Sequence, residues 1–307
     1  MQEIQYLDIL KKSFLVSWKN KFLWFFGFLI VLGSVFENLN LVREDLMLKT
    51  PIAELLKQNE EYALLIGFFL LAGLVFFYVL RILSSIALIR GINNPLLYKQ
   101  LKPWAVLAEA RNYLGRLIVL DCLLDFSAVA IILILMIPAA LLFSFKAMLL
   151  GLIVSFAALL ILIPLIWLLF FLKKFSFMVI ALGGLKIKAA LEFSYEVCLK
   201  QLKKTLLMGL LVLATGLALL SLLTLLIVPL WIAHFVTPVD LWPISAFSFM
   251  GILLISVVSL VFSFYVVFVQ VVWLDFFSQI SMQRSVESEP GKAEILEKSE
   301  VLSPDVA

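Results

Sequence analysis

Six runs of mostly apolar residues constrain this chain more than any other feature of its sequence. They cover residues 22–40, 62–82, 117–143, 147–172, 205–231 and 245–272. A transmembrane helix needs about 20 apolar residues, because each residue advances the helix by about 1.5 Å through about 30 Å of hydrocarbon. The runs therefore predict an all-α polytopic membrane protein with six transmembrane helices.

The composition indicates the same class of protein. Of the 307 residues, 64% are hydrophobic and 15% are charged, whereas soluble proteins average about 45–50% and about 25%. Residues 1–279 are predicted to form one six-span membrane domain, and residues 280–307 a disordered cytoplasmic tail of mixed charge. The segment before the first run is too long and too amphipathic for a cleaved signal peptide, so the first span is expected to be retained.

The distribution of Lys and Arg predicts how the chain is oriented, because cytoplasmic loops keep an excess of these residues. Most of them fall in the N-terminal segment, in the connections 81–116 and 173–204 and in the C-terminal segment. The opposite loops hold only Arg43, Lys49, Lys57 and Lys146. A multi-pass protein of the bacterial cytoplasmic (inner) membrane, with both termini in the cytoplasm, is expected.

Three segments on the predicted cytoplasmic side have the apolar spacing of amphipathic helices. They are YLDILKKSFLVSWKNK at 6–21, PWAVLAEARNYLGR at 103–116 and KIKAALEFSYEVCLKQLKK at 186–204. Such helices lie in the membrane interface with their lysines toward anionic headgroups. The lysines expected to meet lipid headgroups are Lys11, Lys12, Lys19, Lys186, Lys188, Lys203 and Lys204.

The three amphipathic segments also share a short pattern, a leucine followed three residues later by a small residue. The pairs are Leu10 and Ser13, Leu107 and Ala110, and Leu191 and Ser194. One interpretation is a threefold repeat, in which each unit is an interfacial helix followed by a two-span hairpin. The alternative is chance similarity among amphipathic helices, because the shared pattern contains only two positions.

The third run contains two carboxylates, Asp121 and Asp125, which share one helix face at four-residue spacing. A charge at the bilayer centre costs about 2.5–3.5 kcal/mol, so one interpretation is a cation or proton pathway in a small transporter or channel. The alternative is structural, because residues 126–143 alone extend about 27 Å. The two aspartates would then lie at the cytoplasmic boundary, with Arg81 as their partner.

The structural alternative extends to an ionic layer at the cytoplasmic ends of the spans. Its predicted members are Arg81, Asp121, Asp125, Lys173, Lys174 and Asp275. Charges at this depth would hold neighbouring spans in register.

No motif for nucleotide, metal or hydrolase chemistry is present: the chain lacks GxxxxGK[ST], CxxC and HExxH. His234 is the single histidine, too few for a His-based zinc site. Cys122 and Cys198 both fall on the predicted cytoplasmic side, where a structural disulfide is not expected. We therefore expect a protein that is not an enzyme and has no cofactor.

Residues 10–33, LKKSFLVSWKNKFLWFFGFLIVLG, carry a family resemblance. A small residue, a tryptophan, Lys and Asn residues, then Leu-Trp and an apolar run with glycine are matched by Ser13, Trp18, Lys19, Asn20, Lys21, Leu23, Trp24 and Gly27. This pattern resembles a set of bacterial integral-membrane proteins similar to the membrane domain attached to some glycerophosphodiester phosphodiesterases. The resemblance implies a stand-alone membrane domain without the catalytic barrel, and it transfers no functional residue.

The basic amphipathic helices favour a non-enzymatic protein that binds or organises lipids or partner proteins at the cytoplasmic leaflet. The transporter or channel that uses the Asp121 and Asp125 face is the alternative. Membrane lipids are the expected partners, protein partners or a second copy of the chain are left open, and nucleic acid is not expected.

Overall fold

The computed structural model describes residues 5–47, 60–95, 102–236 and 244–287 of the chain. In these ranges every regular element is a helix, which confirms the all-α class. The helices are α1 (Tyr6–Lys19), α2 (Phe22–Met47), α3 (Glu60–Asn93), α4 (Pro103–Ser144), α5 (Met148–Gly183), α6 (Ile187–Lys200), α7 (Leu202–Val236) and α8 (Ile244–Glu287).

The described helices include five that are each long and apolar enough to cross a membrane. These segments are Gly67–Asn93, Pro103–Ser144, Met148–Gly183, Leu202–Leu225 and Leu254–Ser281. The pair formed by α1 and the first part of α2, which meet at a bend of 99°, brings the number to as many as six. The architecture is that of a polytopic membrane protein, as the apolar runs predicted.

Helices α4 and α5 are much longer than the hydrocarbon layer is thick. The 42 residues of α4 and the 36 residues of α5 extend about 63 Å and about 54 Å, against about 30 Å of hydrocarbon. The predicted amphipathic segment 103–116 and the predicted span 117–143 both lie within α4, as one continuous helix. Helix α8 continues through Glu287, beyond the predicted start of the tail at residue 280; residues 288–307 lie outside the described ranges.

The chain divides into two compact units, and the first comprises residues 1–110, 206–276 and 301–307. Its described core includes Phe26, Ile86, Trp273 and Phe276, which are each at most 1% exposed. Helices α2 and α3 approach closely at Gly33, where a Cβ atom would lie 2.8 Å from the Cβ of Arg81. Glycine is required at this crossing because any side chain would push the two helices apart.

The second unit comprises residues 111–205 and 277–300. Phe175 on α5 is fully buried and contacts Phe277, with 5.3 Å between ring centroids. Gly184 caps the C-terminus of α5. Its φ of 62° is the left-handed conformation that favours glycine at this position. Arg116 donates a hydrogen bond of 2.5 Å to the Gly184 carbonyl, which fixes the short connection from α5 to α6.

Large apolar side chains also cover the outside of the spans. Leu152, Phe156, Leu213 and Leu217 are each about half or more exposed on α5 and α7. A helix that is apolar around its whole circumference is suited to hydrocarbon rather than to water. The exposed leucines are therefore the lipid-facing surface that a membrane protein requires.

Candidate functional site

Asp121 and Asp125 on α4 share one cation, the ammonium group of Lys173 on α5. The Lys173 Nζ lies 2.7 Å from Asp121 Oδ1 and 2.6 Å from Asp125 Oδ1. The Asp121 side chain is 2% exposed, whereas the Asp125 side chain is 59% exposed. The sequence predicted that the four-residue spacing places both carboxylates on one face of α4, and the structure has them there. That face contacts α5, the antiparallel helix that follows.

The position of this cluster along the helices indicates its depth. The α4 segment from Asp125 to Ser144 rises about 29 Å, and the α5 segment from Met148 to Lys173 rises about 38 Å. The hydrocarbon layer is about 30 Å thick. With the turn between α4 and α5 at one membrane surface, the three charged groups lie at the opposite surface. This geometry supports the structural interpretation of the acidic pair.

Of the remaining members of the predicted ionic layer, Arg81 and Asp275 lie in the first unit, and Lys174 follows Lys173 on α5 in the second. Asp275 on α8 is 15% exposed and accepts a hydrogen bond of 3.1 Å from Lys12 on α1. The Arg81 guanidinium lies over the Tyr78 ring, 5.5 Å from its centroid. The suggested pairing of Arg81 with Asp121 and Asp125 stays a prediction, because Arg81 belongs to the other unit.

A further ion pair was not predicted from the sequence. Arg90, near the end of α3, pairs with Glu109 in the first turns of α4. The chain between these helices is short, but no local spacing rule connects a residue of one helix to a residue of the next. This pair holds the start of the amphipathic segment 103–116 against the preceding span.

Helix α1 has three distinct faces. Ile9, Ser13 and Ser17 recur every four residues and are each at most 2% exposed, so they form the face that packs against protein. On the second face, the side chains of Phe14 and Trp18 are 49% and 54% exposed. Lysines form the third face. An ordinary surface helix has one apolar face, so the exposed apolar face of α1 needs a second apolar environment.

Helix α6 repeats this design at equivalent positions. Its buried face consists of Ala190, Ser194 and Cys198, again at four-residue spacing and each fully buried. Tyr195 and Leu199 are 49% and 46% exposed, at the positions that Phe14 and Trp18 occupy in α1. Both helices also end alike: the backbone N–H of Asn20 bonds the Val16 carbonyl, and that of Gln201 bonds the Val197 carbonyl.

The third amphipathic segment agrees in part with α1 and α6. Val106 and Ala110 are at most 2% exposed, in register with Ile9 and Ser13. Trp104 is 70% exposed, in register with Leu7, which is 68% exposed. The small residue of the pattern is therefore buried in all three segments, and the threefold repeat stays a prediction.

The lysines expected at lipid headgroups lie at the surface with one exception. Lys11, Lys12, Lys19, Lys186, Lys188 and Lys203 are exposed, and Lys204 is partly buried. Two of the exposed lysines also contact carboxylates: Lys12 pairs with Asp275, and Lys188 lies 3.8 Å from Glu192 one turn later. The exposed pair of Lys188 and Glu192 contributes about 0–1 kcal/mol and leaves the lysine charge accessible, whereas Lys12 contacts a carboxylate that is only 15% exposed.

Four aromatic rings meet where α1 turns into α2. Phe264 on α8 makes edge-to-face contacts with Phe14, Trp18 and Trp24, at centroid distances of 5.4, 5.9 and 5.4 Å. The Trp18 and Trp24 rings lie 5.8 Å apart. We call these four rings the aromatic corner. Both tryptophans belong to the pattern that carries the family resemblance, but nothing in the sequence connects Phe264 to them.

The cysteines and the acidic residues offer no metal site within the described ranges. No group of three His, Cys, Asp or Glu side chains there is arranged to hold a metal ion. Cys122 is exposed and Cys198 is buried, and the two do not form a disulfide. Burial raises the pKa of Cys198 to about 11. His234 lies at the end of α7, but its side chain is outside the described residues.

An open groove on α7 is lined by Leu220, Ser221, Thr224, Leu225 and Val228. The two hydroxyl groups donate to backbone carbonyls of their own helix, Leu217 and Leu220 respectively. The groove therefore offers a mostly apolar surface to its surroundings, in agreement with a lipid-facing position.

Comparisons with known proteins give no match: no family model, no curated protein and no solved structure is significantly similar to this chain. Function must therefore be argued from the geometry of the chain itself.

Proposed function

We propose that this chain is a non-enzymatic, multi-pass protein of the bacterial cytoplasmic membrane that binds and organises anionic lipids at the cytoplasmic leaflet. The observation that carries the proposal is the repeated design of α1 and α6. Each helix buries a small-residue face against protein, leaves a second apolar face exposed and presents lysines beside that face. A lipid interface provides an apolar layer next to negative charge, which satisfies both exposed faces.

The angle between α1 and α2 supports this arrangement. A helix at 99° to a membrane span lies along the membrane surface when the span runs near the bilayer normal. The lysines of α1 would then meet the headgroup layer, where each contributes about 1 kcal/mol of attraction to anionic lipids.

The positive charge on one side of the spans supports the orientation with both termini in the cytoplasm. Three of the residues that carry the family resemblance also have packing roles. Ser13 is fully buried, Trp24 belongs to the aromatic corner, and Gly27 lies against the backbone carbonyl of Ser263.

The experiment compares how strongly the whole chain binds an anionic lipid and a neutral lipid. Protein in mild detergent is titrated with phosphatidylglycerol and, separately, with phosphatidylcholine, and native mass spectrometry counts the bound lipids. Retention of phosphatidylglycerol at several-fold lower concentration is expected. A matched variant that carries Lys11→Gln, Lys19→Gln, Lys186→Gln and Lys203→Gln should lose this preference, whereas equal retention of both lipids by the natural chain would contradict the proposal.

A transport role for the Asp121 and Asp125 face is the second proposal. The observation that favours it is the 59% exposure of Asp125 beside a lysine that it shares with buried Asp121. The position of the cluster at the end of a span favours a structural role instead, and the two roles differ in the effect of charge removal on ion flux.

A further inference from the structure

We propose that the aromatic corner, together with Lys19 and Lys21, is a specific site for the headgroup and upper acyl chains of one anionic phospholipid. The inference rests on the proposed function, because it assigns lipid selection to one corner of the chain rather than to basic helices in general. Its carrying observation is the juxtaposition of four clustered rings and two accessible lysines.

The rings form a rigid and partly open wall. Phe14 and Trp18 stack nearly parallel, at 8° and 6.2 Å, and both stay about half exposed. Phe264 contacts both of these rings and Trp24 from α8, so the wall has support from a second helix. Tryptophan is favoured at headgroup depth because the indole has an apolar body and a polar N–H group.

Two hydrogen bonds hold the corner at its bend. Trp24 Nε1 donates to the Ser17 carbonyl at 2.8 Å, which connects α2 back to the last turn of α1. The Asn20 side-chain amide donates to the Val16 carbonyl at 3.0 Å. The first bond satisfies a carbonyl at the end of α1, and the second adds to the bond that the Val16 carbonyl already accepts from the Asn20 backbone N–H. The aromatic corner is therefore preorganised in the absence of lipid, which lowers the entropic cost of binding.

The charges next to the rings are accessible to a phosphate group. Lys19 and Lys21 are exposed, and within the described residues neither has a carboxylate at ion-pair distance. Lys12, on the same helix, differs because it pairs with Asp275. The corner thus offers positive charge at the end of α1 nearest its exposed rings, in agreement with an anionic lipid and not with a neutral one.

The equivalent corner of the second unit provides a comparison within the same chain. The junction between α6 and α7 has Lys200 in register with Lys19, but Thr205 replaces Trp24 and Leu199 replaces Trp18. Thr205 is buried and bonds the Gln201 carbonyl of its own helix. This junction has basic charge without indole rings, so it serves as a matched control.

The test is a titration of the full-length protein with phosphatidylglycerol, read by native mass spectrometry. Replacing both lysines, in a variant that carries Lys19→Gln and Lys21→Gln, should weaken the first phosphatidylglycerol site about 25-fold, because each lysine contributes about fivefold. Trp18→Ala should weaken retention of both phosphatidylglycerol and phosphatidylcholine, and Trp18→Phe should keep most of it. The matched control is Lys200→Gln, in register with Lys19: it should leave the first site within about twofold, whereas Lys19→Gln alone should weaken that site about fivefold.

Each outcome decides a different question. Equal losses in the Lys19→Gln and Lys200→Gln variants would overturn the site while leaving general lipid binding intact. A natural chain without preference for phosphatidylglycerol would overturn the proposed function and this site together. Displacement of the lipid by millimolar glycerol phosphate would overturn the lipid assignment in favour of a small-anion site. Thermal unfolding of each variant in detergent shows whether a loss comes from misfolding, and rescue by Trp18→Phe confirms a folded but altered site.

Discussion

Lys173 on α5 contacts Asp121 on α4 with 2.7 Å between Nζ and Oδ1, and the Asp121 side chain is 2% exposed. A carboxylate this deeply buried would carry a large desolvation cost without a cation beside it. The contact therefore ties the register of α4 to the register of α5 at the end of the hairpin they form.

Loss of the lysine should destabilise the hairpin strongly. Lys173→Met removes a cation in direct contact with the buried Asp121 carboxylate, and removing one partner of a buried pair costs about 3–5 kcal/mol. Asp125→Asn removes a mostly exposed carboxylate and should cost about 0–1 kcal/mol. Thermal unfolding in detergent compares the two variants, and the double variant Asp121→Asn/Lys173→Met should recover part of the loss. Equal thermal unfolding midpoints for Lys173→Met and Asp125→Asn would contradict a structural role of the contact between Lys173 and Asp121.

Charge removal at the acidic pair should leave ion permeability unchanged. A structural cluster at the membrane boundary carries no ion across the bilayer, so proteoliposomes with the Asp121→Asn/Asp125→Asn variant should show the same proton and sodium flux as those with the natural chain. Proton flux is followed with a pH-sensitive dye, and sodium flux with a sodium-sensitive dye, each under an imposed gradient of that ion. A flux that is present in the natural chain and absent in a folded variant would support the transport role instead.

The crossing of α2 and α3 should not accept a side chain at Gly33. A Cβ there would lie 2.8 Å from the Arg81 Cβ and 2.9 Å from the Phe77 carbonyl oxygen. Gly33→Val should therefore cost about 1–3 kcal/mol through overpacking, measured as a lower unfolding midpoint. Gly73→Val is the matched control, because a Cβ at Gly73 has no neighbour within 4 Å. A similar loss in both variants would show that the close approach is not the cause.

The two cysteines should differ in reactivity. Cys122 is exposed, whereas Cys198 is buried and its pKa is raised to about 11, so little reactive thiolate forms at neutral pH. A membrane-permeant maleimide should label one thiol per folded chain, and Cys122→Ala should abolish the labelling. Rapid modification of Cys198 in the folded chain would contradict its buried position on α6.

The same pKa predicts a pH dependence of stability. The unfolded thiol, with an ordinary pKa of 9.0, loses its proton before the folded thiol does. The folded state therefore binds more protons between about pH 9 and about pH 11, and the free energy of unfolding falls as the pH rises through that window. Cys198→Ala should flatten this part of the profile. An unchanged slope in the variant would assign the alkaline loss of stability to other groups.

The sequence by itself determined the features that depend on local pattern. Run length and composition predict the membrane spans, because the hydrocarbon thickness sets the number of apolar residues required. Helical periodicity identifies the amphipathic segments that hold Ser13, Ala110 and Ser194, and the structure gives these residues the same buried position. The four-residue spacing also places Asp121 and Asp125 on one face, as observed.

Only the tertiary structure decided which distant residues meet. Arg81 and Lys173 both lie near the ends of spans, and spacing along the chain does not distinguish them as partners for Asp121. Phe264 reaches the rings of Trp18 and Trp24, and Asp275 reaches Lys12 across 263 positions of sequence. Such contacts depend on how whole helices cross, which is set by close approaches such as the one at Gly33 and by the summed packing of the core. Periodicity within one helix contains no information about that choice.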